Sequence, residues 1–121
     1  MRDFRKYEVW HKAHHLCLHV YQQVSVRFPA EERYSMTSQI RRAAYSVSLN
    51  IVEGCGRNTD KDFAHFLDMS LGSLQEVEYC ALLAADLRYM DAPTYEILTV
   101  RINEVKAMLI GLIKTIRKDI Q

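Results

Sequence analysis

The sequence has few of the residues that build hairpins, disulfide frameworks or membrane spans. Its 121 residues include two prolines and four glycines, and neither Asn-Gly nor Asp-Gly, the strongest hairpin signals, occurs. Cys17, Cys55 and Cys80 form an odd, widely spaced set, which is typical of reduced thiols in a cytoplasm. The apolar run at residues 108–113 is far short of the ~20 residues that cross a bilayer. These absences disfavour β-rich, secreted and membrane-spanning proteins.

What is present indicates a helical protein with one core. Hydrophobic residues make up 49% of the chain, which at this length is enough for a single domain over residues 1–121. The first residues are too charged for a signal peptide. We therefore expect a cytoplasmic domain without a membrane partner.

Apolar residues recur at the spacing of α-helices along four stretches. The first helix is predicted from about Tyr7 to Phe28, because Pro29 disfavours helix in the residue before it. The second helix follows a turn at residues 29–32. It ends near Gly54, which we expect to be the C′ glycine that terminates a helix.

The start signals of two further helices follow in order. Thr59 and Asp62 resemble a capping box, which predicts a third helix from about Asp60 to Tyr89. Asp91 is the expected N-cap of a fourth helix, with a proline in its first turn. Four long helices with short connections predict an all-α, up-down-up-down four-helix bundle.

Two features of the helices are unusual, and one of them, the excess of apolar residues, predicts that the bundle associates with copies of itself. Gly72 and Ser73 lie in the middle of the third helix, where glycine costs about 1 kcal/mol relative to alanine. We expect either close packing or a kink at that point. Apolar residues also extend beyond the stripe that each helix needs to face a core, and exposed apolar patches usually mark interfaces. The extra apolar positions are Leu49, Val52, Leu71, Leu82, Leu83 and Ile110.

A cluster of polar residues surrounds the predicted turn between the second and third helices. Glu53 is a carboxylate at a helix C-terminus, where the macrodipole disfavours negative charge by roughly 0.3–1 kcal/mol. Its candidate partners are Arg42, Arg57 and the backbone N–H groups of the turn, and Asn50 lies one turn earlier. We predict that Arg42, Asn50, Glu53, Gly54 and Arg57 form a network that fixes this turn.

The residues that could carry catalysis or metal binding do not form a recognisable site. His11, His15 and His19 recur every four residues with His14 beside them, but no cysteine or acid in that helix completes a metal set. A polar helix face or a subunit contact explains them as well. Cys55 lies in a glycine turn without a base or an oxyanion hole in the sequence. We predict no metal, no cofactor and no enzymatic activity.

Charge is unevenly distributed, although the net charge is only +1. Residues 1–30 carry five bases against two acids, whereas residues 60–91 carry two bases against seven acids. One explanation is solvated faces and attraction between neighbouring helices. The other is that basic faces gather into a nucleic-acid-binding surface. Its candidate contacts are Arg2, Arg5, Lys6 and Lys12, or Lys114, Arg117 and Lys118.

Several short motifs along the chain resemble a known family. They are Val9-Trp10 with Ala13 and Leu16, Phe28-Pro29 with Glu32, Gln39, Arg42-Ala43-Ala44, Ser46-Val47, Asn50-Ile51-Val52-Glu53-Gly54 with Arg57, Phe63, Phe66-Leu67, Gly72-Ser73, Glu76, and Glu104-Val105 with Met108-Leu109. The sequence resembles the bacterial four-helix-bundle proteins of ribosomal RNA intervening sequences. That family also includes the accessory variability protein of diversity-generating retroelements. The block from Asn50 to Arg57 is the most specific part, and Arg88 replaces a common glycine.

The resemblance implies a homopentamer of four-helix bundles, arranged as a ring or barrel, without known catalytic activity. In the retroelement branch, the protein is a basic scaffold that binds a reverse transcriptase and nucleic acid. Two hypotheses follow for this near-neutral chain. It is either a non-enzymatic oligomeric scaffold that binds RNA or an RNA-handling partner, or a purely protein-binding or structural assembly.

Overall fold

Four α-helices form a closed bundle in the computed structural model, which describes residues 1–120. Their bounds are Glu8–His19 for α1, Met36–Cys55 for α2, Asp60–Asp86 for α3 and Ala92–Ile120 for α4. Each helix packs against the next one in the chain, and α4 also packs against α1. Short connections then require neighbouring helices to run in opposite directions. The predicted all-α four-helix bundle is confirmed, and residues 1–120 contain no strand.

The four helices contribute to one hydrophobic cluster. Leu16, Ile40, Phe63 and Leu98, one from each helix, are among its fully buried side chains. Burying a side chain of this size stabilises the fold by roughly 1.5–3 kcal/mol. The shared core therefore explains why helices with many polar residues stay in fixed positions.

The predicted first helix is interrupted near its end. α1 stops at His19, and a π-helical turn at Val20–Val24 and a 3₁₀ turn at Ser25–Arg27 continue its path. A π turn holds one more residue than an α-helical turn. Both Val20 and Val24 are fully buried, and Ser25 next to them is buried as well. The prediction of an unbroken helix from Tyr7 to Phe28 was therefore wrong. The spacing of apolar residues along one face does not reveal such a turn.

Both predicted N-caps are confirmed by hydrogen bonds. The Thr59 hydroxyl accepts from the Asp62 N–H at 3.1 Å, and the Asp91 carboxylate accepts from the Thr94 N–H at 2.8 Å. These bonds satisfy N–H groups that have no partner within the helix. The signals depend on residues three positions apart, and they are therefore readable from sequence.

The backbone at the end of α3 shows why glycine suits the position of Arg88. Arg88 has a φ of 64°, in the left-handed region where glycine is favoured. The Tyr89 N–H donates to the Ala84 carbonyl at 2.8 Å, a bond that belongs to the Schellman motif at helix ends. Arg88 therefore occupies the position where glycine is common in the family it resembles. The helix ends at Asp86, three residues before the predicted end at Tyr89.

Two glycines differ from their predicted roles. Gly54 lies inside α2 and no glycine among residues 1–120 has positive φ, so the C′ assignment was wrong. A Cβ on Gly54 would lie 2.9 Å from the Phe66 Cβ and 3.0 Å from the Phe63 Cδ1. Glycine is thus required there by the approach of α2 to α3. A Cβ on Gly72 would meet nothing within 4 Å, so the predicted close packing at Gly72 does not occur within the chain.

Candidate functional site

The second and third helices are joined by a row of side-chain hydrogen bonds. The buried Ser70 hydroxyl donates to the Val47 carbonyl at 2.7 Å, and the Ser46 and Ser73 hydroxyls are 2.9 Å apart. Within α2, the Asn50 amide supports this row by donating to the Ser46 carbonyl at 2.9 Å and to the Ser46 hydroxyl at 3.1 Å. This row fixes how the two helices align along their axes.

The rest of the predicted turn network does not assemble within the chain. The Arg57 guanidinium lies 5.3 Å from the centre of the Phe66 ring, and its backbone carbonyl accepts from Arg2 at 2.9 Å. Glu53 and Arg42 are exposed, and neither makes a salt bridge with a partner among residues 1–120. Arg57 therefore packs on an aromatic ring and does not pair with Glu53.

Three of the candidate RNA-binding cations are already paired within the chain. Arg2 donates to the Asp60 carboxylate, and its guanidinium lies 4.4 Å from the centre of a phenylalanine ring. The Lys12 ammonium is 2.9 Å from Glu104, and Arg117 donates to the Asp68 carboxylate. Attraction between basic and acidic helices therefore accounts for part of the uneven charge distribution.

The other four candidate cations are more available to bind RNA than the three that are paired. Lys6, Lys114 and Lys118 are exposed and have no acidic partner within 4.0 Å among residues 1–120. Arg5 is 3.9 Å from an Asp3 oxygen, a separation at the limit of a salt bridge. Because α1 and α4 are antiparallel, the start of the chain and the end of α4 lie at the same end of the bundle. The four cations therefore lie at this end, which also carries Asp3, Asp60 and Asp119, and we call the set of four cations the basic end.

The histidines of α1 take part in local contacts. His14 stacks on Trp10, with ring centres 5.0 Å apart and planes 6° from parallel. The Phe4 ring also meets the Trp10 ring edge-on, with ring centres 4.8 Å apart. His11 Nε2 donates to the Arg5 carbonyl at 2.7 Å. No group of three ligating side chains that could hold a metal occurs in the part of the chain that the structure describes.

His19 and the cysteines lie in less polar surroundings. His19 Nε2 is buried without a hydrogen-bond partner, and burial, with a smaller contribution from Arg101, lowers the pKa of His19. Cys55 and Cys80 are buried and unpaired, and burial raises the pKa of each thiol. Cys55 is the last residue of α2, so its placement in a glycine turn was wrong. A buried thiol with a raised pKa has little thiolate to act as a nucleophile.

Apolar side chains remain exposed along α2 and α3. Leu49 and Met69 are 46% and 45% exposed, and Leu82 and Leu87 are 44% and 48% exposed. A groove of about 820 Å³ lies between the start of α2 and the second half of α3, and Tyr79 is among its lining residues. Of the six predicted extra apolar positions, Leu49, Leu82 and Ile110 are exposed, and Val52, Leu71 and Leu83 are half-buried.

Sequence reasoning missed a second cavity, which is rich in arginine. It has a volume of about 570 Å³ and lies between the π turn and the first half of α2. Arg33, Arg41 and Arg42 line it, although the sequence suggested only Arg42, and for a different role. The sequence carries no helical signal for it, because Arg33 lies in the turn before α2 and meets the other two arginines only in the folded chain.

No helix among residues 1–120 combines the length and apolar character needed to cross a membrane.

The fold and the charged and apolar surfaces define a four-helix-bundle protein. The family of 23S rRNA-intervening sequence proteins matches residues 5–111, and the chain belongs to that family. A similar solved structure is a protein of unknown function from the S23 ribosomal protein family of Bacteroides thetaiotaomicron VPI-5482. It shares 25% sequence identity with a TM-score of 0.81 over 88% of this chain and 98% of that chain. No curated protein matches the sequence.

Proposed function

We propose that this protein is a non-enzymatic, homo-oligomeric scaffold that works in the cytoplasm and binds RNA or an RNA-handling partner such as a reverse transcriptase. In this proposal, residues 1–121 form a single domain and five copies assemble as a ring, as the family resemblance implies. The observation that carries the proposal is the apolar surface left exposed on α2 and α3.

The apolar surface supports assembly because it runs along both helices. Leu49 and Met69 lie near the middle of α2 and α3, and Tyr79 and Leu87 extend the surface along α3. Exposed apolar side chains of this kind favour contact with another molecule. Gly72 lies on the same helix, and a Cβ there would contact nothing within the chain. This glycine therefore lowers the stability of the helix without improving packing within the chain. Close approach of a second copy would supply that packing.

Glu53 is part of the same proposal. It is exposed without a salt bridge among residues 1–120, and it lies four residues after Leu49, on the same face of α2. We expect its partner to be a donor on a neighbouring copy. Glu53→Ala should then lower the mass of the assembly while leaving the helical content of the chain unchanged.

RNA binding is supported by the basic end of the bundle. Arg5, Lys6, Lys114 and Lys118 lie together there, and a ring repeats the set once for each copy. Repetition matters because each phosphate that a protein neutralises adds to the salt dependence of binding, by a slope of about −0.7 for single strands. The family is named for intervening sequences of 23S rRNA, which makes structured RNA the first nucleic acid to test.

The alternative is a purely protein-binding or structural assembly. It is favoured by the internal pairing of Arg2, Lys12 and Arg117, which removes three cations from the candidate RNA surface. The two functions share the apolar interface and differ in the role of the basic end.

Light scattering separates these functions. We expect a particle of about five subunits. Its mass should increase when structured RNA is added at low salt and should not increase at high salt. A particle that ignores RNA at both salt concentrations would support the protein-binding assembly, and a monomer would overturn both.

A pair of substitutions tests which surface assembles. Met69→Asp places a charge on the proposed interface and should dissociate the particle, because a buried unpaired charge is costly. The matched control is Val100→Asp, since Val100 is 61% exposed on α4 and lies outside the proposed interface. If Val100→Asp dissociates the particle and Met69→Asp does not, the interface lies on α4 instead.

A further inference from the structure

The arginine-rich cavity has the composition of an anion site. Its charged lining residues are Arg33, Arg41 and Arg42, and no acidic residue lines it. None of the three makes a salt bridge among residues 1–120. This contrasts with Arg2 and Arg117, which have carboxylate partners. Guanidinium groups that line one cavity without a carboxylate among them favour binding of an anion.

One of these arginines is held in place by a buried hydroxyl. The Arg41 Nε donates to the Ser25 Oγ at 2.8 Å, and Ser25 is only 3% exposed. The same hydroxyl donates to the Tyr21 carbonyl at 3.3 Å. With Nε occupied, the two terminal nitrogens of Arg41 remain as donors, in the fork geometry that binds phosphate oxygens.

The π turn places an aromatic ring at the same cavity. Tyr21 lies in that turn, and the Arg41 guanidinium is 5.1 Å from the centre of its ring. Tyr45, which is four residues after Arg41 on α2, lines the cavity as well. Both tyrosines are partly exposed, so each has surface on which a planar ring can stack. π turns are rare and are frequent at functional sites.

The size of the cavity limits the ligand. Its volume of about 570 Å³ is within the range of about 300–1,000 Å³ for small-molecule sites. A phosphate ion alone would leave most of that space empty and would not use the tyrosines. A phosphate joined to an aromatic base would use both kinds of lining group.

We propose that this cavity binds one nucleotide unit, with its phosphate on Arg33, Arg41 and Arg42 and its base against Tyr21 or Tyr45. The unit is either a free nucleotide or one residue of an RNA strand. The second source rests on the RNA-binding part of the proposed function, whereas the chemistry of the cavity is the same for both. Ser25 is a positioning residue, because it acts by orienting Arg41.

Calorimetric titration with four probes tests the proposal: adenosine monophosphate, adenosine, inorganic phosphate and an oligoadenylate of eight nucleotides. We expect the monophosphate or the oligoadenylate to bind, and to bind more tightly than inorganic phosphate and adenosine. Tighter binding of the oligoadenylate would assign the site to an RNA strand, and equal binding would assign it to a free nucleotide. Failure of both to bind would overturn the proposal, as would equal affinity for inorganic phosphate.

Substitutions connect the binding to the cavity. Arg33→Gln and Arg41→Gln should each weaken binding about tenfold or more, because each removes a charge-assisted contact with phosphate. Arg33 is exposed, so its substitution keeps the test valid if Arg41→Gln fails to fold. The control is Arg101→Gln, an exposed arginine on α4 outside the cavity. An equal loss in the control would show that net charge alone attracts the ligand, and would overturn the site.

The outcome can be separated from that of the proposed function. Light scattering reports assembly without reference to this cavity. If Arg42→Gln breaks the assembly while nucleotide affinity is unchanged, Arg42 contacts a neighbouring copy and not the phosphate, and that part of the nucleotide proposal is wrong. If nucleotides bind while structured RNA does not, the cavity proposal stands and the RNA scaffold fails.

Discussion

The α2–α3 pair and the α1–α4 pair are held together by different kinds of contact. Between α2 and α3, Ser70 donates to a backbone carbonyl across the buried interface, and Gly54 lets the helices come close. Between α1 and α4, the polar contact is a surface salt bridge between Lys12 and Glu104. Hydrogen bonds and a steric requirement fix the geometry of the first pair, whereas apolar packing dominates the second.

This difference indicates where the fold is least tolerant of change. Buried hydrogen bonds have directions and distances that must be met, and a glycine in close contact leaves no room for a side chain. Apolar packing accepts many combinations of similar volume. We therefore expect the α2–α3 pair to be sensitive to small substitutions and the α1–α4 pair to be tolerant.

The largest effect is expected from Gly54→Val. The Cβ alone would lie 2.9 Å from Phe66, and overpacking of this kind typically costs about 1–3 kcal/mol. We expect a value near the upper end, measured by chemical denaturation at a fixed protein concentration. The control is Gly111→Ala, where a Cβ meets nothing within 4 Å and helix propensity predicts a gain of up to about 1 kcal/mol. If Gly54→Val is as stable as the wild type, close contact at Gly54 does not fix the geometry of the α2–α3 pair.

A smaller effect is expected from Ser70→Ala. It removes the hydroxyl that donates to Val47, and a net hydrogen bond contributes about 0.5–1.5 kcal/mol. Ser48→Ala is the control, because the Ser48 hydroxyl bonds within its own helix near the surface. Thermal denaturation should show a lower midpoint for Ser70→Ala than for the control. Equal midpoints would mean that the buried hydrogen bond does not hold the pair.

A pH-dependent effect is expected on the α1–α4 side. Burial lowers the pKa of His19 in the folded chain below its usual value of 6.5. At a pH between the folded pKa and 6.5, the unfolded chain binds the proton and the folded chain does not. The contribution of His19 to stability is therefore present above about pH 6.5 and falls on acidification towards the folded pKa. Thermal midpoints of wild type and His19→Gln should diverge on titration from pH 8 to pH 5. A constant difference would contradict the linkage.

The smallest effect is expected from Lys12→Ala. Its salt bridge with Glu104 is at the surface, where such pairs contribute little because water and salt screen them. We expect no measurable change in the thermal midpoint at physiological salt. A clear loss of stability would show that the α1–α4 pair depends on polar contacts after all.

The signals that sequence reasoning read correctly are local. The caps at Thr59 and Asp91 involve residues three apart, and the helix periods depend on residues within a few turns. Gly54 was misassigned because its neighbours Phe63 and Phe66 are close only after α2 and α3 pack. The internal pairing of Arg2 was missed for the same reason, since its acidic partner is 58 positions away.

The π turn was missed for a different physical reason. Apolar periodicity records which residues are buried, and Val20 and Val24 are buried in either hydrogen-bonding pattern. The arginine cavity depends on that turn, so it could not be predicted while the first helix was treated as regular. The resemblance to the family predicted the fold, and it did not reveal the cavity.

The π turn also has a consequence for chain length across the family. It holds one residue more than the α-helical turn that it replaces, so it behaves as a one-residue insertion inside a helix. We expect relatives with one residue fewer between Val9-Trp10 and Phe28-Pro29 to have an unbroken helix there. In such chains the position of Ser25 would be rotated away from Arg41. Counting residues between the two motifs would then divide the family into members with and without the cavity.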